Sequence, residues 1–257
     1  MANSFGWLPD LPDHRDLLYT APMTVMRALP KNVDLRSNCP EVYEQGVLGS
    51  CTANALAAAF QFEQKKQLIP DFIPSRLFIY YNERVLLNTI YSDSGAFLRD
   101  GIKTMNLQGV CSENDWPYLV DQFAVKPPDA LYEKAATNQV LSYLRLNNSN
   151  IGLLQSCLAQ GFPFVFGFSV YERFKSINKN GIMPMPAFSE QRLGGHAVMA
   201  VGYDDEKQYF IVRNSWGINW GDNGYFYMPY TYITDANRAI DFWTIRLVEA
   251  GLTQTQL

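Results

Sequence analysis

The reading of the fold turns on Gln45-Gly-Val-Leu-Gly-Ser-Cys51 and the run that follows it, Thr52-Ala-Asn-Ala-Leu-Ala-Ala-Ala-Phe-Gln-Phe-Glu63. The second part is Ala-rich and predicts a helix of high intrinsic propensity. Ser50 is its expected N-cap, which places Cys51 in the first turn. A thiol there meets unpaired backbone N–H groups and the positive end of the helix dipole, so its pKa is expected to fall. Taken alone, a cysteine among alanines reads as a small buried apolar residue. The preceding segment changes that reading. Gly46 and Gly49 let the backbone turn tightly into the helix, and Gln45 can aim its amide at the thiol. Together with the Cys51 N–H, that amide would form an oxyanion hole.

A thiolate nucleophile needs an imidazole to pair with it and to protonate the leaving amine. The chain has two histidines, His14 and His196. His14 lies in a Pro-rich leader and reads as solvated. His196 opens a predicted strand just after Gly194-Gly195, a pair that lets another backbone approach closely. Further on comes Arg213-Asn-Ser-Trp-Gly-Ile-Asn-Trp-Gly-Asp-Asn-Gly224. The Asn214 amide can hold the imidazole tautomer as a carboxylate does in serine hydrolases, and Trp216 can shield that bond from water.

Gln45-Gly-x-x-Gly-Ser-Cys51, Gly195-His-Ala-Val198 and Asn214-Ser-Trp-Gly217 with Trp220-Gly221 resemble, in order, the three signatures of papain-like cysteine peptidases. The Cys51–His196 spacing falls within the roughly 130–150 residues expected. Leu29-Pro-Lys-Asn-Val-Asp-Leu-Arg36 resembles a mature-enzyme start, and Trp116-Pro-Tyr118 also matches, so the resemblance spans about residues 29–249. It implies an α+β, two-lobed fold with the active-site cleft between the lobes. The helical lobe (about 29–127) would hold a central helix starting at Cys51, and an antiparallel, barrel-like β lobe (about 128–257) would follow. It further implies Cys51 as nucleophile, His196 as general acid/base, Asn214 as its orienting partner and Gln45 as the oxyanion-hole side chain, with Trp216 in support. The reaction would be acyl transfer from an amide to Cys51 and hydrolysis of the thioester, in a monomer with a polypeptide substrate, no metal and no cofactor.

Ser94-Gly-Ala-Phe-Leu98 resembles the family's loop that pairs with substrate backbone, through Gly95 and Ala96. Leu98, Gly167, Gly194 and Ala197 match positions around the pocket for the second residue before the scissile bond, with Gly195 beside them. Two glycines make that pocket roomy, and a preference for Leu, Val or Phe is expected. The chain also departs from the pattern. Leu48 stands where many relatives have a cysteine, so a disulfide near the active site is missing. Thr52 replaces a frequent tryptophan. With Cys51 catalytic, Cys39, Cys111 and Cys157 allow at most one disulfide, and no pairing is predictable.

Outward from these motifs, Ser75–Asn88 and Ala96–Leu107 read as helices and Ile151–Gln160 as a short one. Phe162–Val170, His196–Tyr203, Tyr209–Val212, Tyr225–Met228 and Trp243–Val248 read as strands. Asp204-Asp-Glu206 reads as a solvated hairpin turn rather than a calcium loop. The composition, 47% hydrophobic and 18% charged, is that of a globular chain. A formal charge of −4 argues against nucleic acid or anionic membrane as partner. The longest apolar stretch, Gly161–Phe168, falls far short of the ~18 residues a membrane span needs.

By the same resemblance, residues 1–28 are expected to stand in place of the long helical pro-domain typical of eukaryotic relatives. They lack the basic and apolar regions of a signal peptide, so a cytoplasmic product, or one exported without a classical leader, is expected. Their prolines and aspartates predict an extended segment. Phe5, Trp7, Leu8, Leu11, Leu17, Leu18 and Tyr19 are costly to leave in water, so the segment is expected to dock in the cleft as an intramolecular inhibitor. The readings that compete with an endopeptidase are a peptide ligase or transamidase on the same residues, and a binding module on an inactive scaffold.

Overall fold

The computed structural model of the protein describes residues 4–249, so the outermost ends of the leader and of the C-terminal part lie outside the described residues. The leader contributes β1 (Trp7–Leu8) and α1 (Met23–Met26), and β2 (Asn32–Asp34) follows. Helices dominate next: α2 (Cys51–Lys66), α3 (Arg76–Leu86) and α4 (Leu98–Leu107), with β3 (Ala96–Phe97) before α4 and α5 (Asp129–Ala135) after it. Then come β4 (Val140–Leu146), α6 (Ile151–Ala159), β5 (Phe164–Tyr171), β6 (Arg192–Asp204), β7 (Tyr209–Arg213), β8 (Tyr225–Pro229), α7 (Tyr230–Ile233) and β9 (Ala239–Val248). Helices early and strands late are the α+β order expected from the sequence.

Helix α2 is buried on every side from Cys51 to Gln64, as befits a helix with no polar face. Its alanines let it lie close to the sheet, where Ala53 and Ala57 share one apolar cluster with Ala197, Met199 and Val201 of β6. Ser50 does not cap α2 as expected: its side chain accepts no helix N–H. Its hydroxyl instead pairs with the Tyr118 hydroxyl at 2.5 Å, while the Asn54 amide reaches back to the Ser50 carbonyl at 2.9 Å. The expected helix from Ala96 starts two residues later. Gly95 is left-handed (φ +77°) and the Ala96 N–H is taken by the leader's Gly6 carbonyl at 2.8 Å, so Ala96–Phe97 is a strand.

The sheet is antiparallel, in the order β4-β9-β5-β6-β7-β8, with β2 added to β6. Strand alternation sorts β5 into two faces. Phe164, Phe166, Phe168 and Val170 enter an aromatic cluster, whereas Val165 joins the cluster around α2. Gly167 therefore faces the helices, and on β6 so does Ala197. His196, paired with Phe168, faces the aromatic side. The two sides are not consecutive halves of the chain. β2, before residue 127, joins the sheet, and Leu131 and Ala135 of α5 pack with Phe78 and Cys111 on the helical side.

The leader is less uniformly extended than expected, because α1 interrupts it after Pro22. Trp7 and Tyr19 are buried, but Leu11, Leu17 and Leu18 are exposed, at 72%, 71% and 64%. Docking therefore uses the aromatic residues rather than every bulky one. All four cysteines are free. Among the described residues no helix is long and apolar enough to cross a membrane.

Candidate active site

Four elements converge on one point: the turn before α2, the start of β6, the segment after β7 and the leader. Gln45 is fully buried and held from the far side of the cleft. Its N–H bonds the Ser215 carbonyl at 2.8 Å, and its Oε1 accepts the Ser215 hydroxyl at 2.7 Å. That leaves Nε2 as the donor facing inward, bonded to the Leu48 carbonyl at 2.9 Å and to the Ser4 carbonyl of the leader at 3.2 Å. Arg76 stiffens the same turn. It bonds the Glu44 carbonyl and Asn54 Oδ1, and pairs with Glu113 at 2.6 Å.

His196 and Asn214 lie 2.8 Å apart, Nε2 to Oδ1. The Ser215 N–H also donates to Asn214 Oδ1, at 2.8 Å, which identifies that atom as the oxygen and makes Nε2 the protonated ring nitrogen. Nδ1 is therefore bare, and it has no hydrogen-bond partner among the described residues. A bare, buried imidazole nitrogen can take a proton from a thiol. Trp216 covers the pair, with ring centroids 5.0 Å from His196 at 32°, and Phe168 and Phe174 wall the imidazole on the aromatic side.

Cys51 has no solvent exposure. The expected fall in its pKa does not occur: burial pushes the thiol up to about 12, although the N–H groups of Ala197, Gly6 and Thr52 pull the other way. Burial likewise pushes His196 down to about 4, against the Asn214 hydrogen bond that raises it. Desolvation disfavours both charged forms and here exceeds the helix-terminus effect. Burial of both groups thus works against the ion pair while the leader covers them.

The sequence-predicted subsite residues also gather here, around the leader. Ala96 supplies the N–H that pairs with Gly6, whereas the Gly95 N–H turns away to the Tyr80 hydroxyl at 3.2 Å. Of the two expected pairing residues, Ala96 therefore donates its N–H to the chain in the groove, and the Gly95 N–H does not. The Trp7 indole fills the expected pocket, sharing an apolar cluster with Ala96, Leu98 and Ala197. A Cβ on Gly167 would fall 1.9 Å from the Trp7 ring, and one on Gly195 2.5 Å from the Trp7 carbonyl. Gly194 meets Phe5 instead. His14 is exposed and takes no part. Ser215, which orients Gln45, escaped the sequence reading, and its signal was its place beside Asn214. Phe5, expected only to dock with the rest of the leader, lies against both His196 and Trp216 at 6.1 Å.

A family model described as papain family cysteine protease matches residues 29–239. The fold superposes on xylellain, a cysteine protease from Xylella fastidiosa, with a TM-score of 0.91 at 46% identity, covering 96% of this chain and 97% of that one. An uncharacterized peptidase C1-like protein of Acanthamoeba polyphaga mimivirus is 45% identical over 96% of this chain and 88% of its own length. Cysteine proteinase 3 of Entamoeba histolytica is 28% identical over 83% of this chain and 69% of its own length. With the buried thiol, the imidazole–amide pair and the two-sided architecture already in place, these matches assign the chain to the papain family of cysteine proteases, a hydrolase of peptide bonds.

Proposed function

We propose that the protein is a cysteine endopeptidase held at rest by its own N-terminal segment. On this reading His196 Nδ1 takes the Cys51 proton, and the sulfur attacks the carbonyl carbon of the substrate amide. Gln45 Nε2 and the Cys51 N–H hold the oxyanion that forms. The imidazolium returns the proton to the leaving amine, and water then hydrolyses the thioester with His196 as base. Asn214 keeps Nε2 protonated throughout, so that Nδ1 stays the working nitrogen.

The observation that carries the inhibitory part is the path of the leader. Its Ser4 carbonyl occupies the Gln45 amide, Gly6 lies over Cys51, and Trp7 fills the pocket. A substrate residue in that pocket precedes the scissile bond, whereas Trp7 follows the residues lying at the nucleophile. The leader therefore runs in the reverse sense, consistent with the parallel pairing of β1 with β3. It fills the groove without presenting a bond in the productive sense. Gly6 suits that position, because a Cβ there would sit 1.7 Å from the Gly49 carbonyl oxygen. Beyond Trp7 the leader continues through Pro9 to Asp10, which accepts from the Arg99 N–H and Trp243 Nε1. The side that takes residues before the scissile bond therefore admits a continuing chain, which favours endopeptidase action over trimming from a substrate's N-terminus.

The test compares the full chain with one starting near Ala28 in peptide hydrolysis. Truncation is expected to raise turnover at least tenfold, added leader peptide to suppress it, and Cys51→Ala to abolish it in both forms. A folded, truncated chain no more active than the full one would refute the inhibitory role. Persistent hydrolysis by Cys51→Ala would refute the nucleophile. Product analysis with an added amine separates hydrolysis from transamidation.

A further inference from the structure

Asp93 belongs to no motif and has no part in the chemistry above. Its carboxylate receives the Gly49 N–H between its two oxygens, at 3.0 Å from each. Oδ1 also accepts the Tyr80 hydroxyl at 2.5 Å, and the oxygen of that hydroxyl accepts the Gly95 N–H at 3.2 Å. Tyr80 sits on α3 with no solvent exposure. A single chain of hydrogen bonds thus runs from the turn two residues before Cys51, through α3, to the residue before Ala96.

Both ends of this chain are glycines, so only their backbones can be gripped. Both also touch the chain lying in the groove. A Cβ on Gly95 would fall 2.1 Å from the Gly6 carbonyl oxygen, and one on Gly49 would lie 3.3 Å from Gly6 Cα and 3.4 Å from the Phe5 carbonyl oxygen. Asp93 and Tyr80 therefore span the two backbones against which a bound peptide rests. A carboxylate suits the task, because it can accept from two donors at once and charge assistance strengthens both bonds. The chain has no disulfide to share the role, since all four cysteines are free.

We propose that Asp93, acting through Tyr80, is a positioning residue that sets the nucleophile turn and the peptide-pairing edge at one separation, and so registers the substrate backbone on Cys51. This deepens the proposed function and rests on its reading of the groove as the site of an extended peptide. Loss of the carboxylate frees the Gly49 and Gly95 backbones to move independently, and substrate register suffers before nucleophilicity does.

The test uses the full chain, with rates referred to active sites titrated by an epoxide inhibitor. Asp93→Ala is expected to lower kcat/KM for an extended peptide at least tenfold, mostly through KM. Asp93→Asn, which keeps one accepting oxygen, should recover most of the loss. Tyr80→Phe should lose activity too, and the double variant should be no worse than Asp93→Ala alone, as residues in one network behave. Amide hydrogen exchange should speed up at Gly49 and Gly95 together in both single variants. Wild-type KM in a folded Asp93→Ala chain, additive losses in the double variant, or unchanged exchange at either glycine would overturn the proposal. If neither the full chain nor one starting near Ala28 hydrolyses a peptide, the peptidase reading fails by itself, and exchange at the two glycines still decides the tie.

Discussion

At the residue scale, the chemistry of Cys51 is decided by solvent. The helix terminus and three N–H groups favour thiolate, but burial outweighs them and holds the thiol at about 12, with His196 at about 4. Part of that burial comes from the leader, whose Gly6 N–H faces the sulfur and whose Phe5 ring packs on the imidazole. Displacing the leader readmits water and favours the charged pair. In the full chain, alkylation of Cys51 by iodoacetamide should therefore rise about tenfold per pH unit from pH 6 to 9 without a plateau, because the thiolate fraction grows that way far below the pKa. A leader-free chain should react faster at pH 6 and level off below pH 8. Superimposable profiles would show that the leader does not set the charge state. The identity of these residues was legible in three short motifs, but their protonation was not, because it depends on what lies above them.

At the element scale, the leader is tied down beyond the cleft by a buried charge cluster. The Asp10 N–H donates to Asp241 Oδ2 at 2.7 Å, and the Asp10 carboxylate accepts from Trp243 Nε1 and the Arg99 N–H. Asp16 pairs with Arg99 at 2.6 Å and Arg145 at 2.7 Å, and Arg145 also reaches Asp241 at 3.3 Å. Three carboxylates thus meet two guanidiniums. Burial and the neighbouring Asp10 raise the Asp241 carboxyl to about 7, and burial raises Asp10 as well. Undocking removes Asp10 and Asp16, leaving Asp241 among arginines with its carboxyl back toward 3.8. The docked state then holds a proton that the open state releases, so docking is strongest at low pH and weakens as pH rises from about 4 to about 7. His196 acts in the opposite sense, since its depressed value weakens docking as pH falls from 6.5 toward 4. Comparison with Asp241→Asn isolates the carboxyl contribution. Leader peptide should bind the truncated wild-type chain several-fold more weakly at pH 7.5 than at pH 6, measured by fluorescence anisotropy. Asp241→Asn should flatten that change, and equal slopes in the two proteins would count against the cluster.

At the scale of the whole molecule, the leader is part of the packing. Trp7 belongs to the cluster around α2, and Tyr19 to the aromatic cluster, where its hydroxyl meets Ser156 at 3.1 Å. Burying each such ring stabilises by roughly 1.5–3 kcal/mol. A chain starting near Ala28 should stay folded, because most of both clusters comes from later residues. Its Tm should nonetheless fall by about 6–24 °C, for roughly 3–6 kcal/mol from the two rings at roughly 2–4 °C per kcal/mol. An unchanged Tm in thermal denaturation would mean that the leader adds nothing to the fold.

The family and the α+β order were written in the sequence itself, because Cys51, His196 and Asn214 stand in short motifs and because alanine and aromatic runs declare their elements locally. Ser75 at the head of α3 is of the same kind. The sequence reading starts α4 two residues early, because pairing with the leader overrides propensity at Ala96, and its division near residue 127 misses the crossing of β2 and α5 between the two sides. The parallel pairing of the leader with β3, the desolvation of Cys51 and His196, the Asp93–Tyr80 tie and the Asp10–Asp241 contact were decided by tertiary structure alone. Pairing direction, desolvation and buried charge all arise between residues far apart in the chain, and only the folded backbone brings them together.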